Sequence, residues 1–393
     1  MKLKITLIAV LFLNFFCGHA QVTPTLVHNN LGGGAQFSDG MDMEIYNNEI
    51  YISVTSAGKI VKVSLAAPNS PVVDVVTGLT YPTGLKVVGN ELYFLQRNNA
   101  LEAPSSGKLS KINLAVSNSS VVDLYSGLMY PVEVDVNGTN VYVSEAFIDS
   151  NQDLINMQIS LINLSGAPIK TILNNQFYSV DDIEFKDNAL YIIEWSGVEA
   201  AGSTRLLKLD VTSGTAGTPI EYYVDTPGKA FYNGEIYNNY LYLNTDTSQG
   251  VVDRMDLTSA IQIPSVAFTG FDFNGNTPYI GEMIADGNNN LFAFGESGSP
   301  GSVTYLLYKV NLNSLATQDF EKSTKITLHP NPTSDFISFS NLEDSSKYQI
   351  ISIDGKVVKE GNVDTDEKIN ISRFTTGVYT ARLGDKSFKF IKQ

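Results

Sequence analysis

Residues 47–54 read NNEIYISV, two turn-forming asparagines followed by a short apolar run centred on Tyr51. The phrase returns as GNELYFLQ around Tyr93, GTNVYVSE around Tyr142, DNALYIIE around Tyr191, NNYLYLNT around Tyr242 and NNNLFAFG around Phe292. Successive aromatics are separated by 42, 49, 49, 51 and 50 residues. That is the length of a four-stranded propeller blade and too long for a leucine-rich or ankyrin unit. The period predicts an all-β chain built as a six-bladed β-propeller.

Within the first unit, GMDMEIY is the expected inner strand, EIYISV the second, GKIVKVSL the third and PVVDVVTGL the outer one. Asn47-Asn48, Gly89-Asn90 and Asn238-Asn239 supply hairpin turns between first and second strands. The sixth unit ends near Leu312 without an outer strand, whereas Pro24–Asn30, PTLVHNN, offers one from the other end of the chain. Pairing it with the last blade closes the ring and removes an exposed edge. The pattern of Pro or Gly, inner strand, turn and Asn-aromatic strand over residues 22–315 resembles NHL and gluconolactonase-like propellers.

The chain has 393 residues, 43% of them apolar and only 17% charged, enough for a large core and a second small domain. A formal charge of -15 repels polyanions and excludes nucleic acid as the expected partner. Lys2 and Lys4, the apolar stretch Ile5 to Phe16, and the small residues Gly18 and Ala20 form a secretory signal peptide, residues 1–20. Cys17 offers a lipoprotein alternative, but Phe15 and Phe16 stand where such signals want small residues. With cleavage after Ala20 the single cysteine is lost, so neither disulfides nor thiol catalysis are expected. No later apolar run approaches the roughly 20 residues that span a bilayer, and no membrane-spanning segment is expected in the mature chain.

After the propeller, 21–315, a polar linker at 316–324 leads into a unit of different character, 325–393. Alternation in ITLHPNPTSDFISFS, YQIISIDGKVVKEG, KINISRFTTGVYTARL and SFKFIKQ predicts a small β-sandwich of antiparallel strands. Pro330, Asn331 and Pro332, then Asp354-Gly355-Lys356, then Gly377-Val378-Tyr379 and the basic tail closely resemble the C-terminal sorting domain of type IX secretion in Bacteroidota. The resemblance implies the type IX machinery as partner, passage across the outer membrane with removal of the domain on the way, and a secreted or surface-attached product. An immunoglobulin-like appendage is the alternative.

Three histidines occur, His19 in the signal, His28 on the closing strand and His329 in the sorting unit, too few for a Ser-His-Asp triad or a His-rich zinc site. His28 is read as a partly exposed strand residue. Nine residues before the aromatics stand Asp42, Gly84, Glu133, Asp182 and Asn233, with Glu282 near the same place in the sixth unit. Inner strands begin at the ligand face of a propeller channel, and oxygen donors there suit a divalent cation such as calcium. The gluconolactonase resemblance implies Asp42, Glu133, Asp182 and Asn233 as metal ligands and Asp182 as the proton-moving group, although the family's opening Glu-Gly-Pro is absent and position 84 is Gly. Solvated acids at strand ends are the plainer reading of the same residues.

Three residues after their aromatics, Gln96, Glu145 and Glu194 enter long loops that also carry Trp195, an expected ligand-binding face. Asn137-Gly138-Thr139 has the form of a glycosylation sequon but reads better as a turn. Two functions follow: a surface module binding glycan, peptide or envelope protein, or alternatively a metal-dependent lactonase or esterase.

Overall fold

The computed structural model describes residues 24–31, 42–97, 105–148, 154–195, 204–224, 230–245, 250–259, 264–271, 279–299, 302–313, 327–340, 342, 345–352, 355–365, 367–383 and 386–393. The signal peptide, the linker and Asp354 lie outside them. The chain divides into two compact units, Met1–Leu315 and Ala316–Gln393.

Among the described residues the first unit forms six four-stranded sheets. After β1 (Thr25–His28), blade 1 comprises β2 (Met43–Tyr46), β3 (Glu49–Val54), β4 (Lys59–Ser64) and β5 (Val73–Thr77) in antiparallel sequence order. Blades 2 to 5 repeat that order as β6–β9 over 82–128, β10–β13 over 131–177, β14–β17 over 179–224 and β18–β21 over 231–268. Blade 6 runs β22 (Tyr279–Ala285), β23 (Asn290–Ser299), β24 (Ser302–Asn311) and then β1, so the expected N-terminal closing strand is present. Each inner strand touches the next, and β22 touches β2, which closes the ring.

The recurring aromatics are the seals of this ring. Tyr51 packs with Leu85, Leu92 and Phe94 of blade 2, Tyr142 with Val180 and Ile183 of blade 4, Tyr191 with Phe231 and Leu241, and Tyr242 with Ile280 and Met283. Phe292 completes the circuit against Met43, Ile50 and Ile52. A blade cannot bury both sheet faces alone, so the sequence repeats its largest apolar side chain where neighbours meet. Asn47 and Asn48 both have positive φ, 49° and 62°, the type I′ geometry whose twist matches flanking strands. Gly89, Gly138 and Asn238 hold comparable turns at φ 61°, 63° and 56°.

One expectation is corrected. His28 is buried, because β1 lies under the loop between β4 and β5: its Nε2 is 2.8 Å from the Ser70 carbonyl, and Asn69 N donates to Val27 O at 3.0 Å.

In the second unit, β25 (Thr327–His329), β26 (Phe336–Ser340) and β29 (Ile369–Asn370) form one sheet. The other has the order β28 (Val357–Val363), β27 (Ser346–Ser352), β30 (Gly377–Leu383), β31 (Lys386–Lys392). Both contribute to one core through Ile337, Phe339, Tyr348, Ile350, Tyr379 and Phe390.

Candidate functional site

The inner strands of the propeller are β2, β6 (Pro82–Val88), β10 (Pro131–Asn137), β14 (Ser179–Lys186), β18 (Phe231–Tyr237) and β22. Asp42, Gly84, Glu133, Asp182, Asn233 and Glu282 share one register at their channel ends. Two residues further on, on the same strand face by the period of two, stand Glu44, Lys86, Asp135, Glu184, Glu235 and Ile284. Carboxylates of both tiers and Lys86 line a cavity of about 20 Å³, room for one water-sized group.

Several of these acids are latches between blades. An inner strand has no ladder partner on its channel side, and its free amides need acceptors. Asp42 Oδ2 accepts from Leu85 N of the next blade and its Oδ1 from Met43 N. Asp135 Oδ2 accepts from Phe185 N at 2.6 Å, Asp182 Oδ2 from Gly234 N at 2.7 Å, and Glu235 Oε1 from Ala285 N at 3.0 Å. Gly84 supplies no side chain because the neighbouring strand occupies the place: a Cβ would fall 2.8 Å from Val134 N and 2.9 Å from Val132 O.

The tiers differ in charge. In the deeper one the Lys86 ammonium lies 3.4 Å from Asp135, 3.5 Å from Glu44 and 4.0 Å from Glu184. In the upper tier, among the described residues, no ammonium or guanidinium pairs with Asp42, Glu133, Asp182 or Glu282, and no described donor bonds the Glu133 carboxyl. Arg97 is close enough to favour ionised Glu133, but its guanidinium stacks on Tyr130 at 4.3 Å. Burial is the main cause that raises these acids above the ordinary carboxylate range: Asp42 to about 6, Glu44 and Asp182 to about 7, and Glu235 to about 8. Glu133, Glu184 and Glu282 are held well above it, burial again leading. Lys86 is pushed well above its usual value by the surrounding carboxylates, which outweigh its burial.

Among the described residues no three His, Cys, Asp or Glu side chains are gathered to hold one ion. Asp42 and Asp182 direct both oxygens to backbone amides. Asn233 is 6% exposed; its Nδ2 lies 3.4 Å from Asp182 Oδ2, and its Oδ1 is buried without a partner.

A pH dependence follows from the raised values. Below about pH 4 these carboxyls are protonated in both states; as pH rises to about 8, the unfolded chain releases protons that the folded chain retains, so stability falls across that window. We expect the midpoint of thermal unfolding to drop by about 5 °C or more between about pH 5 and pH 8, since each pKa unit represents about 1.4 kcal/mol before coupling reduces the sum. Lys86→Met should steepen that fall by leaving the deeper tier uncompensated; a flat profile would mean the acids are hydrated.

The expected ligand face is also corrected in part. Gln96, Glu145 and Glu194 turn into their own blades, the two glutamates with 0% exposure. Each accepts from the amide sixteen residues upstream: Thr80 N at 3.1 Å, Met129 N at 2.8 Å and Tyr178 N at 2.7 Å. Lys170 bonds Glu145 at 2.9 Å, and Arg205 pairs with Glu194. Trp195 is half-buried and meets Tyr178 edge-on, with ring centroids 5.3 Å apart.

Sequence reading missed a set of tyrosines at the starts of the inner strands, one of which, Tyr178, is the partner of Trp195. Tyr81, Tyr130 and Tyr178 each immediately precede an inner strand, at the blade period of 49 and 48 residues. Tyr81 and Tyr178 are 45% and 42% exposed, and Tyr130 is half-buried. Tyr81 and Tyr130 have φ of 40° and 38°, left-handed conformations uncommon for bulky side chains.

Residues 327–393 match the model of the Secretion system C-terminal sorting domain. Beta-agarase A of Zobellia galactanivorans is 29% identical over 211 residues, covering 50% of this chain and 34% of its own; the chain thus spans about a third of that relative's length. Among solved structures, a luciferin-regenerating enzyme is similar with TM-score 0.50 and 10% identity, over 73% of this chain and 95% of its own. The nidogen/laminin complex is similar at TM-score 0.45 and 14% identity, over 62% and 83% of the two chains. PorZ of Porphyromonas gingivalis, described as an essential surface component of the type-IX secretion system, is similar at TM-score 0.35 and 12% identity, over 89% and 65%. At these identities the likeness concerns the fold alone.

The chain is a β-propeller protein with a C-terminal sorting domain for type IX secretion. It is therefore exported, secreted or attached at the cell surface, and no described helix is long and apolar enough to cross a membrane.

Proposed function

We propose that this protein is an exported binding module whose ligand meets the propeller at the channel mouth, between Tyr81, Tyr130, Tyr178 and Trp195. The observation that carries this reading is the pair of tyrosines held at positive φ immediately before two neighbouring inner strands. Such conformations cost of order 1–3 kcal/mol each and cluster at binding sites. Half-exposed rings with polar tips suit the contact surfaces of glycans and peptides alike. The metal-dependent lactonase or esterase reading has less support, since Asp42 and Asp182 are already engaged as latches to backbone amides.

The test is Tyr81→Gly. Glycine adopts positive φ without strain, so the variant should be about 1 kcal/mol more stable than the parent while binding at least about 10-fold more weakly on glycan, peptide and envelope-protein arrays. Greater stability with undiminished binding would place the ligand elsewhere.

A further inference from the structure

Loops 66–70 and 115–119, which follow the third strands of blades 1 and 2, are copies of one another. Leu65 N donates to Asn48 O at 2.9 Å and Leu114 N to Asn90 O at 2.7 Å. Ala66 N and Ala115 N bond the side chains two residues earlier, Ser64 and Asn113, and Asn69 and Asn118 both have φ of 54°. Their surroundings differ. The first loop is clasped by the outer strand of the preceding blade: Asn69 N donates to Val27 O at 3.0 Å, Asn29 N to Asn69 Oδ1 at 2.8 Å, and His28 Nε2 lies 2.8 Å from Ser70 O. Val27 is the residue skipped where β1 pairs with β24, and Val75 is skipped in the same way where β5 pairs with β4. A third skipped residue, Leu173, makes the same clasp between blades 3 and 4: Gly217 N donates to Leu173 O at 3.0 Å and Asn174 Nδ2 to Gly217 O at 3.1 Å.

Between blades 1 and 2 the clasp is not made. Among the described residues the Asn118 amide, the Asn118 side chain and the Ser119 carbonyl reach no hydrogen-bond partner. The seam opens instead into a cavity of about 240 Å³, with Lys62, Asp74 and Val75 on one wall and the 115–119 loop on the other. The sequence accounts for the opening. Counting from the skipped residues, Val76 stands where blade 6 has His28, so no donor reaches the Ser119 carbonyl, and Asp74 stands where it has Leu26. Leu114 is tied to the Gly89–Asn90 turn, the end of the inner strand away from the channel mouth. This cavity is therefore separate from the site proposed above.

We propose that the open seam between blades 1 and 2 binds a single hexose ring, which takes the place of the missing clasp. The vacant groups are neutral donors and acceptors side by side, and hydroxyls serve both because each donates and accepts. The charged walls are already balanced: Lys62 bonds Glu49 at 2.8 Å and Asp74 Oδ1 bonds Lys59 at 2.8 Å. A neutral ligand fits them better than an ion, and Asp74 Oδ2 has no partner and can accept from a hydroxyl. Val75 and Val116 offer apolar contact to the C–H groups of a ring. Size agrees. A cavity of about 150 Å³ holds an unsubstituted six-membered ring, so one of about 240 Å³ holds such a ring with its hydroxyls, and it is smaller than the roughly 300 Å³ at which sites for larger ligands begin. The same chemistry occurs in a free monosaccharide and in the terminal residue of a glycan.

The experiment is calorimetric titration of the full mature chain with D-glucose, D-galactose and D-mannose, each free and as its methyl β-glycoside. Cyclohexanol and the peptide acetyl-Val-His-Asn amide, the sequence that clasps the first loop, serve as comparisons. We expect saturable binding of at least one hexose below about 10 mM and at least about 10-fold weaker binding of cyclohexanol. Asn118→Gly keeps the positive φ without strain; it should weaken the sugar at least about 10-fold and melt like the parent. Val76→His acts by the opposite route. It supplies the donor that His28 supplies in the neighbouring seam, so it should close the cavity and weaken the sugar at least about 10-fold without lowering the melting midpoint. Preference for the free sugar would identify a monosaccharide, and equal or tighter binding of the methyl glycoside a terminal glycan residue; either supports the site. Absence of saturable hexose binding, undiminished binding by either folded variant, or cyclohexanol binding as tight as the sugars would overturn it. Binding of the peptide and not of the hexoses would also overturn it, by making the seam a peptide site.

Discussion

Deleting residues 21–31 is expected to destabilise the entire propeller and not merely the sixth blade. The segment joins two blades at once. On blade 6, Thr25, Leu26 and His28 pair with Lys309, Tyr308 and Leu307, and Leu31 N donates to Tyr305 O at 3.0 Å. On blade 1, Val27 O accepts from Asn69 N at 3.0 Å, and His28 Nε2 meets Ser70 O at 2.8 Å. Leu31 is fully buried among Met43, Ile52, Phe294, Tyr305 and Leu307, residues from both sides of the seam.

Burying Leu31 contributes about 2 kcal/mol, Val27 somewhat less, and each hydrogen bond about 1 kcal/mol, or roughly 5 kcal/mol in total. That is comparable with the whole net stability of many domains. Trp195, the single tryptophan, lies in blade 4 and makes the test discriminating. In a ring whose blades are stable only through their neighbours, its fluorescence should report the seam's loss as a midpoint lowered by about 10 °C or more. A peptide of residues 24–31 added in trans should recover part of it. An unchanged Trp195 transition would show that the blades unfold independently and that the N-terminal strand serves only its own sheet.

The blade period was legible because the physics that closes the ring acts on sequence-local features. One large aromatic per interface, one positive-φ turn per hairpin and one missing outer strand were all visible as letters. The roles of the polar residues were less legible. Counting nine back from the aromatics located Asp42, Glu133, Asp182 and Asn233, but not the amides of the following blade that Asp42 and Asp182 satisfy. Glu145 and Glu194 stood at loop entries, yet the amides that donate to them lie sixteen residues upstream, a separation that strand alternation does not encode. The deeper tier was available by moving two residues along each inner strand, and Tyr81, Tyr130 and Tyr178 by applying the blade period to a position outside the strands. Gly84 looked like a lost ligand; only the approach of β10 reveals why a side chain is excluded there.

Removal of residues 325–393 should abolish surface appearance and retain the propeller in the periplasm, an all-or-none effect measurable by fractionation and surface proteolysis. The sorting unit has its own core around Phe339, Ile350 and Phe390, so its loss leaves the contacts within the propeller intact. Its Pro330-Asn331-Pro332 motif has a definite mechanical role. Asn331 Nδ2 donates to Lys389 O at 3.0 Å, and its Oδ1 accepts from Ile391 N at 3.0 Å. Thr333 continues the clasp, donating its amide to Ile391 O at 2.9 Å and accepting from Gln393 N at 2.8 Å. The motif thus holds the last strand in place, while Tyr379 stacks on Phe390 from within, centroids 5.6 Å apart. Asn331→Ala removes two bonds to strand β31, a loss of about 2 kcal/mol, and should reduce surface display in graded fashion where the deletion eliminates it. Wild-type display by the truncated chain would overturn the assignment of these residues to export. Full display by Asn331→Ala with a demonstrably loosened β31 would show instead that the machinery reads a surface of the domain that does not depend on the clasp.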